Sequence, residues 1–148
     1  LGLPFYRSEY IKMKKLSLKA GLVSVVLATL AGVAMAQAPG ITRTVVGKGD
    51  VSVPGREAVV ARVEVAPGAM VGWHTHPGDE ISYITEGEVQ LLVAGQEPRS
   101  VKAGESFVIP AGVVHAAHNH GSTATRLVGV YVVEKGKPLA SPASAPTP

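Results

Sequence analysis

The 148-residue chain predicts an all-β fold, a sandwich or small barrel. Its body, from about residue 57, consists of short valine-rich stretches in which apolar and polar residues alternate. Turn chemistry built from Gly, Pro, Asp and Ser punctuates those stretches at short intervals. No part of the body carries a convincing helical period. The length fits one domain and buries a core without staples. None are on offer, because the chain has no cysteine. Disulfides, thiolate metal sites and a cysteine nucleophile are excluded.

The net charge of +3 comes from one end. Residues 1–36 hold five of the 14 basic residues (Arg7, Lys12, Lys14, Lys15 and Lys19) and one of the 11 acidic ones, Glu9. The remainder has nine basic and ten acidic residues and no Lys/Arg stripe, which argues against a nucleic-acid partner. Met13 opens what reads as a secretory signal peptide over residues 13–36. Lys14, Lys15 and Lys19 form the positive region, Ala20–Val33 the apolar region, and Ala34-Met35-Ala36 the cleavage pattern, leaving Gln37 first. The alternative is a membrane anchor, but the apolar run is short for a span of about 20 residues. Residues 1–12 read as upstream or expression-derived sequence without function. The expectation is an exported protein, periplasmic or secreted, with no stable membrane span after cleavage.

Residues 37–56 form an N-terminal arm. Thr42–Val46 fits an edge strand, and Gly47-Lys48-Gly49-Asp50 a turn. Pro54 keeps the next stretch irregular. Residues 57–134 form the body. Within it, Glu57–Val65 sets Val59, Ala61, Val63 and Val65 on one side and Arg62 and Glu64 on the other. Ala66-Pro67-Gly68 closes that strand. Met70–His74 is the next, and by parity Met70, Gly72, His74 and His76 share a face. Glu80–Thr85 follows, with Glu80, Ser82 and Ile84 inward and Tyr83 outward. Glu88–Ala94 alternates Val89, Leu91 and Val93. Arg99–Val101 and Ser106–Ile109 are short. Val113–Asn119 carries His115 and Ala117 on one face, and Ala124–Glu134 is the last long strand. Residues 135–148 are rich in Pro, Ala and Ser and read as a disordered tail.

The chemistry concentrates in two stretches. In Gly68–Gly87, His74 and His76 stand two residues apart, about 6.5–7 Å along one strand face. A Pro77-Gly78 turn then brings Glu80 back toward them. In Gly104–Asn119, His115 is placed to join. A lone His-x-His is weak, since two exposed polar side chains explain it. A carboxylate on an otherwise apolar strand face strengthens it, because burying a charge without a partner is costly. Three imidazoles and one carboxylate (His74, His76, His115, Glu80) suit one divalent transition metal per chain. Iron, manganese, nickel, copper and zinc all suit that ligand mix.

These stretches resemble the two signature motifs of the cupin superfamily. The first, G-x5-H-x-H-x3-E-x6-G, is met by Gly68, His74, His76, Glu80 and Gly87. The second, G-x5-P-x-G-x2-H-x3-N, is met by Gly104, Pro110, Gly112, His115 and Asn119. The resemblance covers about residues 57–134 and implies a jelly-roll β-barrel. Cupins with three histidines and one glutamate include quercetin-type dioxygenases, oxalate-converting germins and decarboxylases, and acireductone dioxygenases. The resemblance implies, as the first functional expectation, a small quercetin-dioxygenase-like oxidoreductase with iron or manganese, nickel, zinc or copper being the alternatives, and with Glu80 also able to leave the metal and take a proton as the catalytic group. An oxygen-independent isomerase or decarboxylase is the second. A non-catalytic protein that holds metal or a small ligand is the third.

The pocket expected around the metal is lined by Met70, Ser82, Ile84, Phe107, Ile109, Val113 and Ala117, and is mostly apolar. No arginine is evidently inward, which favours a small neutral or aromatic molecule over an oxalate-type one. Asn119 is expected to bond backbone at a turn. His118 and His120 read as exposed strand-end residues, with a proton-shuttle role as the alternative. Trp73 fits core or an interface better than a substrate platform, Tyr83 and Tyr131 are open between the same roles, and an outward aromatic set is compatible with a homodimer through strand faces.

Overall fold

In the computed structural model, which describes residues 38–147, two five-stranded sheets face each other. The leader expected over residues 13–36, and the residues before it, lie outside the described residues. The strands are β1 (Ile41–Asp50), β2 (Arg56–Val65), β3 (Met70–Thr75), β4 (Gly78–Glu86), β5 (Glu88–Val93), β6 (Arg99–Lys102), β7 (Ser106–Ile109), β8 (His115–His118), β9 (Thr125–Glu134) and β10 (Ser141–Pro142). The first sheet runs β1-β2-β9-β4-β7 and the second β10-β3-β8-β5-β6, with every pairing antiparallel. This is the all-β jelly roll the sequence implies.

Alternation drives the packing. On β2, Val59, Ala61, Val63 and Val65 are buried while Arg62 and Glu64 are exposed. On β4, Glu80, Ser82 and Ile84 point inward and Tyr83 outward. Between the sheets, Ile84, Val89, Leu91, Phe107 and Ile109 form one core cluster. Each large aliphatic side chain so buried contributes about 1.5–3 kcal/mol relative to exposure. A second cluster of Val59, Ala61, Tyr131 and Val133 lies at the other end of β2 and β9.

Three expectations are corrected. The first concerns Gly47–Asp50, which does not turn. It continues β1, pairing Gly47 with Val60 and Asp50 with Glu57. The register shifts between Val45 and Gly47, so a bulge absorbs one residue and the strand carries on.

The second is the parity of β3. Val71 pairs with Ala117 and His74 with His115, so two residues of β3 stand opposite one of β8. This extra residue flips the alternation. Met70 therefore turns outward and is 37% exposed, while Val71 takes the inward place beside the core.

The third is the tail. The segment expected to be disordered folds back, and β10 pairs with β3 through Ser141–Thr75 and Pro142–His74. Ala143 N–H also donates to Trp73 O at 2.9 Å. Leu139 packs against the second apolar cluster. The free edge of β3 supplies the pairing groups, and Leu139 supplies the apolar contact that the composition understated.

Candidate metal centre

Four side chains from two sheets converge. His74 comes from β3, His76 from just beyond its end, Glu80 from β4 and His115 from the start of β8. One ligand atom from each lies within 4.8 Å of all the others. His76, Glu80 and His115 are buried, and His74 is half-buried. Close passage of the chain behind the site is set by Gly78. A Cβ there would lie 2.0 Å from the Val132 carbonyl oxygen, so only glycine lets β4 run against β9 at that point.

The backbone fixes each imidazole. Nδ1 of His74 donates to Gly72 O at 2.8 Å, Nδ1 of His115 to Val113 O at 2.9 Å, and Nδ1 of His76 to Leu139 O at 2.6 Å. Carbonyl oxygens only accept, so Nδ1 carries the proton in all three rings. In the neutral rings Nε2 is then a lone pair. The Nε2 atoms of His76 and His115 lie 2.9 and 3.1 Å from Oε2 of Glu80. For His76 this proximity lacks hydrogen-bond geometry, leaving its buried Nε2 unsatisfied. The other carboxylate oxygen, Oε1, accepts from Ser82 Oγ at 2.6 Å.

Lone pairs facing a carboxylate oxygen repel unless positive charge lies among them. Burial raises the pKa of Glu80, but its close contacts with His115 and His76, and the Ser82 hydroxyl, outweigh it and hold the carboxyl well below its usual range. A metal ion placed among these lone pairs and the carboxylate would remove that repulsion and satisfy the orphaned Nε2 of His76. The donor set of three imidazoles and one carboxylate, with ligand atoms within 4.8 Å of one another, fits one transition-metal ion. His74 is tuned for the neutral, ligating form: burial and then the neighbouring His115 lower its pKa to about 4.

Beside the ligands is a small cavity, with about 30 Å³ open to the centres of water-sized groups. Phe107 and Ala117, both expected there, line it. Ser82 instead braces Glu80, Ile84 and Ile109 belong to the core, and Val113 packs against the core while its carbonyl holds His115. Met70 faces away. Two polar residues complete the wall: Tyr131, which the sequence left open between core, interface and substrate platform, and Arg43, which sequence reasoning missed. Arg43 on β1 pairs with inward Val63 and so shares its face, correcting the expectation that no arginine points inward. It hydrogen-bonds Tyr131, whose ring lies 4.8 Å from that of His76. Burial, and then the Glu80 charge, raise the Tyr131 pKa, so its hydroxyl stays protonated at neutral pH. The alternation of Thr125, Leu127, Gly129, Tyr131 and Val133 could have placed Tyr131 inward. For Arg43 no local signal existed, since its facing depends on the β1–β2 register.

The remaining histidines lie apart from this cluster. The rings of His118 and His120 are 3.7 Å apart, and His120 Nε2 is 2.9 Å from Gln90 Oε1 on the exposed side. Asn119 ties the turn as expected: its side chain donates to Val65 O and Thr123 O and accepts from Gly121 N–H.

A jelly roll holding a buried three-histidine, one-glutamate set defines the metal-binding cupin class. Residues 61–133 match the Cupin domain family, and the chain belongs to the cupin superfamily. Among curated relatives, germin-like protein subfamily 2 member 2 of Arabidopsis thaliana is 32% identical over 77 residues, 49% of this chain and 35% of that protein. Oxalate oxidase 1 of Hordeum vulgare is 37% identical over 75 residues, 45% of this chain and 37% of that one. The matched stretch thus spans little more than a third of these relatives. A Klebsiella pneumoniae protein with a double-stranded β-helix domain superposes with TM-score 0.59 at 23% identity, covering 74% of this chain and 84% of that one. A recombinant oxalate oxidase in complex with glycolate superposes with TM-score 0.53 at 30% identity, covering 65% and 52%.

Proposed function

We propose that this chain is a metal-dependent oxidoreductase acting on a small carboxylate. The observation that carries this reading is the pairing of Arg43 and Tyr131 in the wall of a small cavity shared with three of the four ligands, His74, Glu80 and His115. The similarity to oxalate oxidases, one of them bound to glycolate, supports it. The neutral or aromatic substrate expected from the sequence rested on an apolar pocket without arginine. Arg43 removes that premise.

Iron or manganese held by His74, His76, Glu80 and His115 supplies Lewis acidity and one-electron redox chemistry. The protein supplies the rest. Arg43 presents a planar fork of donors suited to a carboxylate. Tyr131, kept protonated, offers a hydroxyl donor from the same wall. The apolar walls from Val63, Leu127, Leu91 and Phe107 keep bulk water out and strengthen both contacts. Glu80, held acidic by its histidine partners, serves better as a ligand than as a proton acceptor near neutral pH.

Oxygen uptake tests the reading, with protein whose metal content is measured after purification without added metal. Turnover of oxalate or glycolate, lost in His76→Ala, supports it. Turnover of flavonols, catechols or diketones instead would restore the aromatic reading. Saturable binding without product would make the protein a non-catalytic binder. The pattern over residues 13–36 supports export, and a mature N-terminus at Gln37 is the expected result of N-terminal sequencing.

A further inference from the structure

The acceptors that orient the three imidazoles have different origins. For His74 and His115 the acceptor is the carbonyl two residues earlier, Gly72 and Val113. A strand provides such a partner locally. For His76 it is Leu139 O, 63 residues away and beyond the last strand of the first sheet. His76 stands just past the end of β3, where its own strand gives it no such neighbour. The C-terminal segment completes what the barrel leaves undone.

We propose that residues 137–143 form a strap that positions His76 for the metal, with the Leu139 carbonyl setting its tautomer and ring orientation. Three contacts hold the strap. Leu139 packs against Val59, Ala61, Tyr131 and Val133. Ser141 and Pro142 pair with Thr75 and His74, the residues that precede His76. Ala143 N–H donates to Trp73 O at 2.9 Å. The strap thus grips the ligand strand and the ligand at once. The pairing is only two residues long and lies at a sheet edge, which makes it a unit able to open while the barrel stays folded. Undocking returns His76 to a free choice of tautomer and rotamer. Partners that orient a ligating histidine in this way are typically worth about 10–100-fold in metal affinity. The strap therefore controls how firmly the centre retains its ion.

This inference rests on the metal reading above, and the test separates the two. The full chain and a chain ending at Pro138 are titrated with Mn2+ against a chelator, and imidazole nitrogen shifts report the His76 tautomer in the ion-free state. The expected result is about 10–100-fold weaker Mn2+ binding by the shortened chain. Its circular dichroism is unchanged, and His76 changes from one tautomer to a mixture. Equal affinity with an unchanged tautomer overturns the strap. Should the full chain bind no Mn2+, the metal reading falls, and the ion-free tautomer comparison alone decides the strap. Should the shortened chain not fold, Leu139→Asp decides, since a carboxylate against the apolar cluster drives the segment off at full length. Weaker binding by that variant supports the strap, and affinity equal to the parent's overturns it.

Discussion

Nε2 of His115 lies 3.1 Å from Oε2 of Glu80, across the gap between the two sheets. The contact joins β8 to β4 through groups that attract each other only when a cation is shared. Glu80→Gln keeps the shape and removes the charge. Mn2+ affinity is expected to fall by roughly 100-fold or more, about 2.7 kcal/mol, in a chelator-competition titration. An unchanged affinity would mean that the carboxylate is not a ligand.

The same cluster makes the ion-free protein acid-sensitive. The His74 pKa is lowered from 6.5 to about 4 in the fold, first by burial and then by His115. Between those values the unfolded chain binds a proton that the folded chain refuses, so stability falls as pH drops through that window. Glu80 acts in the same direction at lower pH. Its folded pKa lies below 4.5, so its contribution is present above 4.5 and is lost as pH falls further. Urea unfolding of ion-free protein at pH 7.5, 5.5 and 4.5 is expected to lose stability steadily. His74 accounts for about 2 kcal/mol after allowance for its partial exposure. His74→Gln is expected to flatten the loss between pH 6.5 and 4.5. A profile flat in the parent as well would contradict the lowered His74 pKa.

Arg43 separates substrate recognition from metal binding, because it lines the cavity without belonging to the ligand set. Arg43→Met is expected to raise KM for a carboxylate substrate by about 10–100-fold, the loss of one charge-assisted pair of about 1.5–3 kcal/mol. Mn2+ affinity is expected to stay within about twofold of the parent. Arg43→Lys is expected to recover only part of the loss, since an ammonium lacks the planar fork. A KM that does not respond to either variant would place the substrate elsewhere.

What could be read in the sequence, and what could not, follows from how far each feature depends on neighbours in space. The alternation of Val59, Ala61, Val63 and Val65 is local, and it placed β2 correctly. The ligand set was legible because fixed spacing within two short motifs places its residues. Met70 was misplaced because one extra residue in β3 against β8 reverses the parity, and a bulge leaves no compositional trace. Arg43 and Leu139 were missed for a related reason. One reaches the site through the β1–β2 register, and the other through a return of the chain over 63 residues. The Pro/Ala-rich composition around Leu139 suggested nothing to bury, yet one leucine and an open strand edge suffice.

Two glycines near the site are expected to respond differently to a single methyl group. At Gly129 an added Cβ would lie 2.7 Å from the Tyr131 hydroxyl oxygen, as this ring lies over the glycine. A side chain can swing away, so Gly129→Ala is expected to cost about 1–3 kcal/mol and to leave a folded protein. Its Tyr131 is displaced, with the carboxylate KM raised and Mn2+ affinity kept. At Gly78 the obstacle is backbone: the Cβ would lie 2.0 Å from Val132 O and 2.6 Å from Val133 Cα. There the β4–β9 pairing must part beside Glu80. Gly78→Ala is expected to cost more than about 3 kcal/mol and to lose the metal with the fold. Thermal unfolding with and without Mn2+ checks both variants: an ion-dependent rise in midpoint should survive in the first and vanish in the second. The reverse order would mean that the approach of β4 to β9 is looser than the distances at Gly78 imply.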